Sequence, residues 1–382
     1  MKRILNLYII REISSLFLLS ITIFTLILLM GRMLKLIELI VSRGVPLTDV
    51  CRMIIYLMPS FLVFTIPMAF LLAVLLAFGR LSADNEIIVL KASGISLIQI
   101  VPPVAACGMF AAGLSLAASL FGVPWGNSAF KDLSFKVMKQ YAGATIREKV
   151  FWDDIPGIVM YTEQYDERKQ ALQGVIIHDG RNKERLLTIF ARRGAVSSGA
   201  DREGLRLTLN NGIIHSPGKK DEYRLVHFEE YVMSVTPDSP STGSGRNEQD
   251  MGITELLTQS RITANDLSQQ LKIRTELHSR FSFPFASVVF AFVAVPLGIQ
   301  NRRSGKSSGF TLSLGIIFSY YLLLSFVRTL AERGSLSPLI ALWLPNVLFL
   351  VLGIILLKMA SQERNLTLPG LNSIVDRFRK SR

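Results

Sequence analysis

The chain has 382 residues, of which 50% are hydrophobic and only 19% charged, with a mean hydropathy of +0.39; this is too apolar for a water-soluble protein of several domains and makes a membrane protein the first expectation. The formal net charge of +13 would suit nucleic acid on a soluble chain, but residues 122–280 hold 22 basic and 21 acidic side chains against 20 and 8 elsewhere, so the excess flanks the apolar segments and no nucleic-acid partner is expected. The two cysteines, Cys51 and Cys107, lie in or beside apolar stretches and build neither a disulfide framework nor a zinc site.

A helix needs about 20 apolar residues to cross the hydrocarbon core. Six uncharged runs qualify: Ile13 to Gly31, Met53 to Gly79, Ala92 to Phe130 (most apolar from Leu97 to Phe121), Phe281 to Asn301, Ser307 to Val327, and Gly334 to Leu357. Pro59, Pro67, Pro102 and Pro103 fall in these segments, where lipid-buried helices tolerate kinks. The first run is too long for the apolar part of a signal peptide and ends in Met30-Gly31-Arg32 rather than a small-residue cleavage site, so it reads as a span. With the N-terminus inside, the inner segments carry 14 basic residues and the short outer loops six, which satisfies the positive-inside rule and places residues 122–280 outside the cytoplasm. The expected organisation is spans one to three over 1–121, an insert over 122–280, spans four to six over 281–360, and a basic cytoplasmic tail over 361–382.

Within the insert the apolar period changes to two. Leu205, Leu207 and Leu209 alternate with Arg206 and Thr208, and Val159, Tyr161 and Tyr165 read as one face of another strand. Asp179-Gly180 and Asn211-Gly212 are dipeptides of tight hairpins, with Pro217-Gly218 close behind. Lys149 to about Val235 therefore reads as antiparallel strands forming a sandwich or jelly roll. Residues 236–250, rich in Pro, Ser, Thr and Gly, read as a flexible excursion, and Ile253 to Ser279 as a helical lead into the fourth span.

Sites of chemistry are scarce. Gly305-Lys306-Ser307 matches the end of a phosphate-cradling loop, but Gln300 stands where the leading glycine belongs and the segment connects two spans. His178, His215, His227 and His278 form no metal-ligand or triad spacing. The connector after span two is more informative. Ser82 and Asn85 before Glu86, then an apolar run closed by Gly94, predict a short capped helix over about 82–93 with Ile87, Ile88 and Leu90 on an apolar face. It suits a membrane-surface helix as well as a docking helix inserted into a cytoplasmic protein, with Glu86 pairing an arginine there. Arg32 and Lys35 sit one turn apart at the outer end of the first span. From the residues alone, snorkelling to the headgroups is favoured over lining a cavity that takes a lipid phosphate.

The plan of three spans, β insert and three spans, the connector RLSADNEIIVLKASGIS, the segment RTELHSRFSFPFA from Arg274 to Ala286 and the following VPLG resemble the LptF/LptG family of lipopolysaccharide-export permeases, and the loop PLGIQNRRSGKSSG is closer to LptF. The resemblance covers nearly the whole chain. It implies an α-helical membrane protein with six transmembrane helices and an inserted periplasmic antiparallel β-jelly roll. It further implies a non-catalytic ABC-transporter permease of the Gram-negative inner membrane, paired with an LptG- or LptF-type paralogue and an LptB ATPase dimer, passing lipopolysaccharide to LptC. No cofactor of its own is then expected, ATP being used by the partner. By the same match Glu86, Ile87 and Leu90 belong to the coupling helix, and Arg32 and Lys35 face lipid phosphates, which turns the balance toward the cavity.

A lipid with several acyl chains does not leave a bilayer unaided, since each buried CH₂ contributes about 0.8 kcal/mol; closure of the ATPases would push on the connector helix and expel the lipid upward. An alternative is a structural or sensory membrane protein whose β domain binds a periplasmic ligand without coupled hydrolysis. Ion-coupled secondary transport is disfavoured, because none of the six runs holds a carboxylate or histidine for a proton relay.

Overall fold

The computed structural model describes residues 2–43, 45–145, 148–155, 157–166, 171–180, 187–198, 205–217, 223–235, 248–262, 267–300 and 306–362. The excursion expected over 236–250 lies outside them up to 247, as do residues 301–305 of the inner connector and the tail beyond Gln362. Six helices are long and apolar enough to cross a membrane. In chain order the elements begin with α1 (Lys2–Arg43), α2 (Leu47–Ala83), the short α3 (Glu86–Ala92), α4 (Leu97–Ala117) and α5 (Val123–Thr145). Strands β1 (Phe151–Ile155), β2 (Ile158–Asp166), β3 (Ala171–Asp179), β4 (Leu187–Ser198), β5 (Leu205–Pro217) and β6 (Tyr223–Val235) follow, then α6 (Ile253–Ile262), α7 (Leu267–Gln300), α8 (Lys306–Glu332) and α9 (Pro338–Ser361).

The chain forms two compact units, one of Met1–Gly31, Leu57–Asn127 and Glu248–Arg382, the other of Arg32–Tyr56 and Ser128–Asn247. These divisions differ from those expected at 121/122 and 280/281, because the helices do not stop where charge begins. A π-helical turn over Ala118–Gly122 carries α4 directly into α5, and α7 runs through Arg280 into the fourth span. Once a helix leaves the hydrocarbon its backbone bonds still favour its continuation, so charge marks the membrane boundary but not the helix end.

In the first unit, α2 and α7 lie at the centre and supply many of the most buried side chains, among them Phe70, Phe78 and Phe290. Close approach depends on glycine. A Cβ on Gly298 would stand 2.7 Å from the Cβ of Phe78, and one on Gly353 2.9 Å from the Phe292 backbone, the small-residue packing that lipid-buried helices use for want of a hydrophobic drive between them. A buried polar knot joins α7, α8 and α9: Asn346 Nδ2 donates to the Ser282 carbonyl and hydroxyl, both at 2.9 Å, and Tyr320 donates to Asn346 Oδ1 at 2.9 Å.

In the second unit, the described strands form one antiparallel sheet in the order β1-β2-β3-β4-β5-β6. The inserted antiparallel β domain is as expected, and its connectivity among the described residues is a meander. One face carries the core, with Ile158, Met160, Leu172, Val175, Ile177, Ile189 and Leu209 buried. On β2, Val159 and Tyr161 share a face as expected, but it is the half-exposed one, with Ile158, Met160 and Thr162 buried opposite. The second face is itself apolar, as the paired row Phe151, Tyr161, Ile176, Phe190 and Ile213 shows, so alternation alone did not say which side was inside. The hairpin expected at Asn211-Gly212 is also corrected. Asn211 adopts φ 56°, yet β5 keeps its register to both neighbours across it. Gly212 is needed there because a Cβ would lie 2.3 Å from the Phe190 carbonyl oxygen and 2.4 Å from the Phe228 ring. A tight reversal stands instead between β1 and β2, where Ile155 pairs Ile158 and Gly157 has φ 82°.

Candidate functional site

The connector between spans two and three folds as the short helix α3, with its stop at Gly94 as expected but its start differing. Ser82 does not cap it; its hydroxyl donates to the Ile299 carbonyl at 2.8 Å, tying the inner end of α2 to that of α7. The helix starts from Asn85 in the left-handed region at φ 62°, without a side-chain cap, a conformation asparagine tolerates better than most residues. At the other end Gly94 has φ 82°. Its N–H bonds the Lys91 carbonyl at 3.0 Å and the Ile95 N–H bonds the Leu90 carbonyl at 3.1 Å, the paired bonds of a Schellman stop.

The faces of α3 divide. Ile87 is 3% exposed and belongs to the helical core, while Ile88 and Val89 are 43% and 64% exposed. Leu90 is half-buried and packs against that core. The outward apolar residues are therefore Ile88 and Val89, and Ile87 with Leu90 anchors the helix from below. Glu86 accepts the Tyr8 hydroxyl on both oxygens, at 3.1 and 2.9 Å. Beside it Arg80 pairs Glu12 at 2.6 Å and Asp84 at 3.6 Å, so two contacts hold the base of α1 against the α2–α3 corner. A largely apolar cavity of about 750 Å³ opens next to them, walled by Leu5, Tyr8, Leu90, Ile95, Pro102 and Pro103 among others.

Of the cationic pair at the other end of α1, Arg32 is exposed, and for Lys35 only its place in the helix falls within the described residues. A second group of charges was missed from sequence. Glu276, 7% exposed, takes Arg280 Nε at 3.3 Å and Arg328 Nη2 at 3.2 Å, and Arg328 Nε donates to Glu332 at 2.9 Å. Arg280 Nη2 donates to the carbonyls of Glu248 and Gln249 at 3.3 and 3.1 Å. Its Nη1 is buried without a partner among the described residues. The signal was present as Glu–Arg and Arg–Glu pairs four residues apart on two helices; that the two pairs meet is tertiary information. Among the described residues no cluster of His, Cys, Asp or Glu could hold a metal ion.

The family model for the lipopolysaccharide export system permease LptF/LptG matches residues 7–359. The chain belongs to that family. It is a permease subunit of lipopolysaccharide export and a multi-pass membrane protein, and six candidate spans around an inserted β domain are the architecture this role is built on. The permease is similar to the lipopolysaccharide export system permease protein LptF of Escherichia coli K12, at 20% identity over 91% of this chain and 93% of that protein. Its similarity to the protein of the same name in Shigella flexneri has the same extent. An uncharacterized protein of Rickettsia prowazekii is 22% identical over 79% of this chain and 83% of its own length.

Proposed function

We propose that this permease is a non-catalytic, LptF-type subunit in the inner membrane of a Gram-negative bacterium, working as a heterodimer with an LptG-type paralogue and driven by an LptB-type ATPase dimer. The observation that carries the reading is the foot helix α3, which is anchored by Ile87 and presents Ile88, Val89 and the Glu86 carboxylate at one small surface. Such a surface can enter a cleft on a cytoplasmic partner, with its apolar pair for area and its carboxylate for a charge-assisted bond to an arginine. Glu86 is then the contact to the ATPase, and Ile87 and Leu90 transmit its push because they are embedded in the core beneath. Arg32 and Lys35 hold lipid phosphate at outer-leaflet depth. The β insert faces the periplasm and hands lipopolysaccharide to a similar domain on LptC.

The test is retention and coupling. Mild detergent extraction of the full chain with its paralogue is expected to bring down a nucleotide-hydrolysing subunit, and Glu86→Ala to lower lipid-stimulated ATP hydrolysis by about tenfold or more, as loss of one partner of an interfacial charge pair does. Unchanged hydrolysis and lipid release in that variant would remove the docking role from Glu86.

A further inference from the structure

The Tyr8 hydroxyl lies 3.1 Å from Glu86 Oε1 and 2.9 Å from Oε2. A donor nearly equidistant from both oxygens stands close to the bisector of the carboxylate. A guanidinium must occupy that same place to bond both oxygens at once. The two donors exclude each other. A tyrosine offers one neutral O–H shared between two oxygens, whereas the fork offers two parallel charge-assisted bonds, so an arriving arginine displaces the tyrosine. Tyr8 is 39% exposed and Glu86 only half-buried, which leaves the seat open to a partner. The exchange need not unfold the foot, since Ile87 holds it from below and the Arg80–Glu12 pair holds α1 to α2 independently of Tyr8.

Resting on the docking reading above, we propose that Tyr8 is a positioning residue for the foot: it holds the Glu86 carboxylate in the undocked permease and yields it to a guanidinium of the ATPase on docking. Exchange has a second effect. Tyr8 walls the cavity of about 750 Å³ together with Leu90, Ile95, Pro102 and Pro103, so its departure reshapes the space between α1, α3 and α4. Docking is in this way signalled to the base of the first span through one ring.

The experiment measures the affinity of the LptB-type ATPase for the full chain with its paralogue in nanodiscs. Tyr8→Phe keeps the ring and removes only the hydroxyl. It is expected to tighten binding by about three- to tenfold, the usual net worth of one such hydrogen bond. Glu86→Ala is expected to weaken binding, and Tyr8→Phe to have no effect in the Glu86→Ala background, a coupling that a merely packed tyrosine does not give. A 3-fluorotyrosine at position 8 should show a shifted ¹⁹F resonance on docking, which also reads the exchange if Tyr8→Phe folds poorly. Binding that Tyr8→Phe leaves equal or weakens, or a resonance that does not move, overturns the exchange while docking stands. Indifference of binding to Glu86→Ala removes the docking role from Glu86, and with it the reading on which the exchange rests.

Discussion

A single side chain decides several of the contacts described above. Asn346 joins three helices because its amide both donates and accepts, to Ser282 on α7 and from Tyr320 on α8. Asn346→Ala leaves a buried hydroxyl without its acceptor and is expected to destabilise the helical unit by about 1–3 kcal/mol, seen as a lower midpoint of thermal unfolding in detergent. Asn346→Asp keeps the acceptor but buries a charge, and is expected to be worse than alanine. At the far end of α1, Arg32→Glu with Lys35→Glu is expected to weaken lipid-stimulated ATP hydrolysis more than assembly with the paralogue. Lipid crosslinking that is unchanged in this double variant returns both side chains to snorkelling.

Elements succeed or fail by how they begin and end. The foot is one short helix, too short to persist by itself, and it stands because Ile87 is buried and Gly94 stops it. Gly94→Ala places a side chain at φ 82°, which costs about 1–2 kcal/mol. Coupled ATP hydrolysis is expected to fall while the spans keep their unfolding midpoint, and Gly94→Asn to retain more activity than alanine. Element ends were also where sequence reading was weakest. Gly94 was legible as a stop because one residue type meets one backbone need. Ser82 was misread as a cap, since its carbonyl partner Ile299 lies far along the chain and no local pattern announces it. Asn211-Gly212 carries the local chemistry of a hairpin, but ladders on both sides of β5 hold the strand straight through it. On β2 the apolar period was legible and the inward parity was not, because both faces of the sheet are apolar.

For the whole molecule the spans were plain in the sequence, for the hydrocarbon core admits so few charges that an uncharged run of sufficient length declares itself. Orientation follows from charge asymmetry alone, and so it has a direct check. Cysteines introduced singly at Lys183 and Lys306, in a chain with Cys51 and Cys107 replaced by serine, are expected to react oppositely with a membrane-impermeant maleimide added outside intact spheroplasts: position 183 is labelled and position 306 only after lysis. Labelling of position 306 before lysis, alone or with 183, would overturn the assigned topology.

The Arg280 guanidinium sets how tension reaches the bundle. The polypeptide arriving at Glu248 is gripped through two carbonyls by a side chain rooted in α7, which Glu276 also holds. Within the first unit the turn at Glu248 and Gln249 is in this way clamped to α7 ahead of α6, as a cable is clamped at its housing, so that a load on that turn falls on the longer helix first.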